Sequence, residues 1–437
     1  MNNSVYLWLG TFASQKRLDQ YLEYTREEDD DESPINEFAA DQSEDYYDHD
    51  WMEAIYEQGS SIKTLLESPS YSPAFSKDAI KVAKKLKLED QNTVIMIDSG
   101  LIDEPVSAKG DGYTLTYLGK FAASSVILPS ELADNTITKL VLRDRNLTEI
   151  PKAVFGMQHL EDLDLSNNQL KALPEAFFNL TNLRVIYLSN NLLEEIPASF
   201  SRLKKLDMLI ANGNNIRKIH PDFFKTSNLT ILNLEKNKLD HLPPEINQLQ
   251  KLEGLTIAEN QFEVLPENIT ALNKLERLSC GSNRFKSLPE SIGKLVNLVI
   301  LKIRDNDIST LPNNIQLLIN LESLNINSNP LTALPTGIGK LTQLTELEAR
   351  KTKITKLPSE IGNLHNLRQL IMNDSLVELT PAIGQLTNLK EINLRNNPDL
   401  QDLPREIINC ASLRGCDTNI STTNLDPEVA TFIANLE

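Results

Sequence analysis

The sequence predicts an α/β solenoid of about twelve 23-residue repeats, bent into a horseshoe and preceded by a small α+β domain. Three observations lead there. A period of about 23 residues runs from Ile137 to residue 412. The period is missing from the first 120 or so residues, where the composition turns acidic. At 40% hydrophobic and 24% charged, the 437 residues can bury a core. The expected boundaries are an acidic α+β domain at 1–122, a linker with a degenerate leading cap at 123–136, twelve repeats at 137–412, and a C-terminal cap at 413–437.

The repeats begin at Ile137, Leu160, Leu183, Leu206, Leu229, Leu252, Leu275, Leu298, Leu321, Leu344, Leu367 and Leu389. Each opens with an alternating LxxLxL segment, which reads as a short strand with every second side chain inward. Asn stands at the ninth position of most repeats, from Asn168 to Asn329 and again at Asn397. A buried amide there can bond the backbone where the chain leaves the strand, and stacked copies form a ladder. A Leu-Pro pair such as Leu173-Pro174 then turns the chain onto the outer face. No repeat can bury its leucines alone, so stacking makes one continuous core. Arg145, Thr352 and Ser375 occupy Asn positions and should interrupt the ladder, and His220 stands where Pro is expected. The eleventh repeat has 22 residues and the twelfth 24, so a local distortion is expected near Ser375–Pro381. Ile127–Pro129 and Leu132 read as the remnant of a leading repeat, and Asp426-Pro427-Glu428 as the start of a closing helix to Leu436. This array resembles the leucine-rich repeat of the bacterial and plant-like LPxxIxxLxxL variety, over about residues 126–437.

In the first domain, strands are expected at Val5–Leu9, Met52–Tyr56, Val94–Ile97 and Tyr113–Leu118. Helices are expected at Ser14–Tyr24, Asn36–Asp41 and Asp78–Leu86, with an acidic loop over residues 26–33. The segments VYLWLGTF, RLDQYLEY, NEFAADQSEDYYDHDWMEA and SPSYSPAF follow one another in order. With Trp8, Gly10, Tyr21, Phe38, Asp48 and Glu53, they resemble the small bacterial immunity proteins of polymorphic toxin systems, specifically the twenty-second such family. The resemblance covers about residues 3–122 and implies a domain that binds and blocks a toxin.

Charge narrows the function. Residues 1–60 hold 16 acids and 3 bases, most of the net charge of −18. Such a region repels nucleic acid and anionic membrane and attracts a basic protein; as a solvated surface it also aids solubility. Neither nucleic acid nor membrane is expected as a partner. No apolar run reaches the roughly 20 residues that span a bilayer, no signal peptide is read, and three cysteines fit a reducing compartment, so a cytoplasmic location is expected.

No phosphate-loop, dinucleotide-binding, zinc-protease or nucleophile-elbow motif occurs, and the five histidines are scattered. Asp45, Asp48, His49, Asp50 and Glu53 form one titratable cluster, read as an acidic surface turn. No enzymatic activity, cofactor or metal is expected. Cys280 falls on an inward strand position, where a small buried hydrophobe belongs. The candidate binding residues are of two kinds. Val185, Tyr187, Met208, Ile210 and Ile231 are apolar at outward positions of three consecutive strands, the mark of a protein-binding hot spot. Asp29, Asp30, Asp31, Asp48 and Asp50 belong to the acidic region that would steer a basic partner, a toxin domain in the leading reading. The other reading is a leucine-rich-repeat scaffold or adaptor with no toxin partner.

Overall fold

The structure is a computed structural model. It describes the backbone of residues 4–12, 52–56, 93–98, 107–110 and 113–122, and residues 136–420 and 424–436 throughout. The expected helices of the first domain, its acidic loop and the leading-cap residues lie outside the described residues.

The short apolar and aromatic segments of the N-terminal sequence form strands. β1 (Ser4–Phe12), β2 (Met52–Tyr56), β3 (Thr93–Asp98), β4 (Ala108–Gly110) and β5 (Tyr113–Ala122) form one sheet in the order β2-β3-β1-β5-β4. Every pairing is antiparallel, with β1 central and a register irregularity between Leu7 and Trp8 against β5. Four of these strands contain the segments expected from sequence; β4 is additional, too short to show a period.

The chain divides into two compact units, Met1–His159 with Asn167–Gln169, and Leu160–Ser166 with Leu170–Glu437. The repeat strands are β6 (Lys139–Val141), β7 (Asp162–Asp164), β8 (Val185–Tyr187), β10 (Met208–Ile210), β12 (Ile231–Asn233), β13 (Gly254–Thr256), β14 (Arg277–Ser279), β15 (Ile300–Lys302), β16 (Ser323–Asn325), β17 (Glu346–Glu348), β18 (Gln369–Ile371), β19 (Glu391–Leu394) and β20 (Gly415–Thr418). They form a thirteen-stranded sheet in sequence order, parallel wherever its pairings are described, while β9 (Glu195–Ile196) and β11 (Lys218–Ile219) make a separate two-stranded ribbon. The thirteenth strand lies in the segment read from sequence as cap. It lacks the leucine signature because Cys416, not leucine, faces the place of Ile392 on β19. Beyond it, α1 (Pro427–Ala434) closes the array, its N-terminus capped by the Asp426 side chain accepting from Glu428 N–H at 2.8 Å.

The outer element of each repeat is a five-residue 3-10 turn rather than an α-helix. A Pro precedes most of these turns and a Leu closes most of them, leaving room for one short turn per repeat. Two turns lack the leading Pro and use a side chain instead. His220 Nδ1 accepts from Asp222 N–H at 3.1 Å, and Thr380 Oγ1 accepts from Ala382 N–H at 3.4 Å.

The core is the expected leucine stack. Leu163, Ile186, Leu209, Leu232 and their counterparts are completely buried, each contributing on the order of 1.5–3 kcal/mol relative to exposure. Phe177, Phe178, Phe200, Phe223 and Phe224 add a chain of edge-to-face contacts under the outer turns, with ring centroids 5.1–5.7 Å apart.

The Asn ladder is present and its wiring is explicit. Asn214 Nδ2 donates to Leu188 O at 2.9 Å in the preceding repeat and to Ala211 O at 3.1 Å in its own. Its Oδ1 accepts from Leu193 N–H at 3.1 Å. Asn191, Asn237, Asn260, Asn283, Asn306 and Asn329 repeat the pattern. The residue before each ladder position is left-handed in all twelve repeats, from Asp144 at φ 60° to Asn396 at φ 60°. Gly213 holds it freely at φ 69°, whereas Lys236, Glu259 and Lys351 adopt it at a cost of about 1 kcal/mol each. Backbone bonds to the next repeat compensate, as in Lys236 N–H to Ala258 O at 2.9 Å.

The expected interruptions occur. Thr352 bonds only within its own repeat, donating to Ala349 O at 3.2 Å and accepting from Ile354 N–H at 3.5 Å. Ser375 reaches back to Ile354 O at 2.9 Å. The distortion expected beyond it is visible: Asp374 has φ 91°, and Asn397 Oδ1 accepts from Leu376, one residue earlier in its repeat than the usual partner.

Candidate protein-binding surface

Parallel in-register pairing decides which outward side chains are neighbours. Met208 stands opposite Val185 on one side and Ile231 on the other, and Ile210 stands opposite Tyr187. The five apolar candidates therefore form one continuous patch, three in one row and two in the next. They are half-buried rather than fully exposed, because adjacent rows cover each other's flanks. Asp162 and Asp164 border the patch on the β7 side, and Gly254 and Asn233 on the other.

Asp29, Asp30, Asp31, Asp48 and Asp50 lie outside the described residues, as do Asp45 and His49. Glu53 is known only as a position in β2, opposite Met96. The structure thus brings the apolar candidates together and places none of the acidic ones.

The same register reveals what single-repeat reading missed. Ile300 is a further half-buried apolar residue of the outward row, between Arg277 and Ser323. Gly254 leaves bare backbone between Ile231 and Arg277: a Cβ built on it would lie 3.8 Å from both Ile231 Cγ1 and Arg277 Nε. A second, exposed amide ladder runs along the rim where the strands begin. Asn228, Asn297, Asn320, Asn366 and Asn388 each donate to a carbonyl of the preceding repeat at 2.6–2.9 Å. Its sequence signal was Asn immediately before the repeat's first leucine.

Chemistry beyond binding finds little footing among the described residues. No group of three His, Cys, Asp or Glu could hold a metal ion there. Burial pushes the Cys280 thiol up to about 12 and that of Cys410 to about 11. Cys416 is pushed to about 12, by burial first and by the nearby Asp417 charge second. All three are free cysteines held far from the thiolate form, and Cys410 donates to Ile383 O at 3.2 Å. Shallow clefts at the strand-entrance rim carry mixed charge, one with Glu253, Lys274, Glu276 and Glu322, another with Arg184, Lys205, Asp207 and Lys251. No helix among the described residues is long and apolar enough to cross a membrane.

The stacked parallel strands, the amide ladder and the Leu-Pro turns decide the nature of the array. It is a leucine-rich-repeat solenoid. Leucine-rich-repeat models match residues 135–180, 173–216, 212–262 and 282–352. Residues 5–123 match the family described as Immunity protein 22. The chain therefore joins leucine-rich repeats to an N-terminal region resembling that immunity family. Among solved structures, a leucine-rich-repeat protein of Leptospira interrogans is 27% identical, with a TM-score of 0.59 over 71% of this chain and 91% of that one. An internalin of Listeria monocytogenes is 22% identical, with a TM-score of 0.53 over 68% of this chain and 90% of that one. The functional domain of InlJ from the same organism is 19% identical, with a TM-score of 0.58 over 85% of this chain and 68% of that one. The two Listeria likenesses speak to fold alone. No curated protein matches the chain.

Proposed function

We propose that this leucine-rich-repeat protein is a non-enzymatic binding protein of the immunity type, which binds a toxin or other basic protein partner and occludes its working surface. The observation that carries this reading is the in-register apolar patch on outward strand positions, where the repeat has no need of apolar side chains for its own core. The match of residues 5–123 to Immunity protein 22 supports a toxin as the partner class. The 16 acids of residues 1–60 support a basic partner, approached by electrostatic steering.

The test is growth protection. A toxin encoded beside this gene, produced alone, arrests its host; co-production of the full chain restores growth. The double variant Tyr187→Ala, Ile210→Asp loses protection and weakens the complex by at least about 2 kcal/mol. Changing Asp29, Asp30 and Asp31 to Lys slows association and flattens its salt dependence while leaving complex lifetime nearly constant. Arrest that persists with the full chain present counts against toxin neutralisation.

One observation favours a second reading, a scaffold without a toxin partner. The apolar patch lies in the repeats, outside the residues that match the immunity family. Full protection by the double variant, together with loss of a different complex, would select it.

A further inference from the structure

The outward face of the array changes character over a few strands, and the change specifies what can lie on it. The outward positions of β13 to β16, with the residue two places beyond each strand, carry Arg277, Lys302 and Arg304 and no carboxylate. The repeats still carry more acids than bases, so four consecutive strands without acid in their outward rows stand out from the rest of the array. Acid returns at the borders, with Glu235 before the window and Glu346 and Glu348 after it.

The arginines are weakly engaged. Arg277 meets Glu276 at 3.5 Å and Arg304 meets Asp305 at 3.8 Å, with side chains 48% and 51% exposed. Both partners are sequence neighbours outside the outward rows. Each arginine is also set against a glycine of the preceding repeat. A Cβ at Gly281 would come within 2.8 Å of Arg304 Cγ, so only glycine lets that stem lie flat across the sheet. Gly254 is less constrained: its Cβ site lies at ordinary contact distance, 3.8 Å from Arg277 Nε and 3.8 Å from Ile231 Cγ1. Gly254 is thus the floor of a junction with the apolar patch on one side and a guanidinium on the other.

From this juxtaposition we infer that the concave strands take an extended acidic–apolar segment of a partner protein, its apolar side chains on the Met208–Ile210 patch and its carboxylates on Arg277, Lys302 and Arg304. The inference rests on the protein-binding reading above and adds the chemistry of the bound segment. From β10 to β14 is three strand steps of about 4.8 Å, and an extended chain advances about 3.3 Å per residue. The apolar and acidic side chains of the segment are therefore separated by about four residues. Guanidinium groups favour carboxylates here through paired, charge-assisted bonds. A basic segment would meet three cations in the outward rows, with the carboxylates of Glu276 and Asp305 only at their flanks.

The test is selection of displayed random peptides on the full-length protein, with counter-selection on the variant Arg277→Glu, Arg304→Glu. Counter-selection removes peptides held by the acidic N-terminal region. The expected outcome is enrichment of peptides with aromatic or aliphatic residues about four positions from Asp or Glu. Their affinity falls at least about tenfold on the charge-reversed protein, and falls in part on the milder Arg277→Gln, Arg304→Gln protein, with both melts unchanged. Enriched peptides that are basic or uncharged, a library that yields none, or acidic peptides indifferent to both variants would overturn the inference. Loss of acidic peptides on the arginine variants with none on Tyr187→Ala, Ile210→Asp removes the apolar patch from the site and contradicts the combined segment. Toxin protection that fails while acidic–apolar peptides bind as described separates failure of the toxin reading from failure of this one.

Discussion

The third to fifth repeats and the tenth to eleventh share a backbone and differ in what holds it. Around Ile186, Leu209 and Leu232 the amide ladder is continuous, through Asn191, Asn214 and Asn237. Around Leu347 and Leu370 it is broken, by Thr352 and Ser375. Yet β17 and β18 keep the same parallel register, and Leu347 and Leu370 are as fully buried as Ile186. The leucine stack therefore suffices to set the register, while the ladder fixes the turn that follows the strand. That turn is where the eleventh repeat departs, with Asp374 at φ 91° and a shifted partner for Asn397. The division of labour has a consequence for function: outward positions answer to neither device and are free to carry apolar, basic or acidic chemistry.

The largest expected effect tests the shared part. Ile186→Ala and Leu370→Ala should each lower stability by about 2–5 kcal/mol, because both side chains are completely buried. Chemical denaturation with unchanged m-values checks this. Costs that differ by more than about 2 kcal/mol would mean the ladder also supports the core.

The ladder itself comes next. Asn214→Ala leaves Leu193 N–H without its acceptor and takes one of two amide donors from each of the Leu188 and Ala211 carbonyls, which keep Asn191 and Asn237, at an expected cost of about 1–3 kcal/mol. Thr352→Ala removes only local bonds and should cost less than about 1 kcal/mol. Thr352→Asn should restore a rung and raise stability by up to about 1 kcal/mol. Equal costs for Asn214→Ala and Thr352→Ala would erase the distinction drawn between the two regions.

Outward substitutions follow. Tyr187→Ala with Ile210→Asp should cost no more than about 1 kcal/mol of stability, slightly above a fully exposed pair because both side chains are half-buried. A loss of several kcal/mol would place the patch in the core and withdraw it as a binding surface.

Much of this was legible in the sequence, and the exceptions share a cause. The period marked the inward leucines, the ladder amides and the gaps at Thr352 and Ser375, because each depends on residue type at a fixed spacing. The closing helix was legible from Asp426-Pro427-Glu428, and four N-terminal strands from short apolar and aromatic runs. The left-handed eighth position escaped notice because it tolerates Lys236 and Glu259 as well as Gly213; the backbone, not the side chain, demands it. β20 escaped because Cys416 and Thr418 stand where leucines signal a strand. At the candidate site, the five apolar residues were identified one repeat at a time. The window around Arg277, Lys302 and Arg304 needed the register, since Gly254 and Gly281 matter through side chains 23 residues away.

The smallest expected effect probes the short repeat where the ladder fails. Lys356 and Glu378 form an isolated parallel bridge, and their side chains pair at 2.9 Å. The pair lies just beyond the shortened step at Ser375–Leu376 and joins the same two repeats as the Ser375 Oγ bond to Ile354 O at 2.9 Å, positioned to share the work of a rung. Its side chains are 60% and 56% exposed, however, and water and salt screen such a pair. Lys356→Ala should therefore change stability by no more than about 0.5 kcal/mol, with even that difference fading between low salt and about 0.5 M sodium chloride. A salt-insensitive loss above about 1.5 kcal/mol would show the pair acting as a rung in its own right. The tenth and eleventh repeats would then be held by charge where the third to fifth are held by amides, and the leucine stack alone would no longer account for their register.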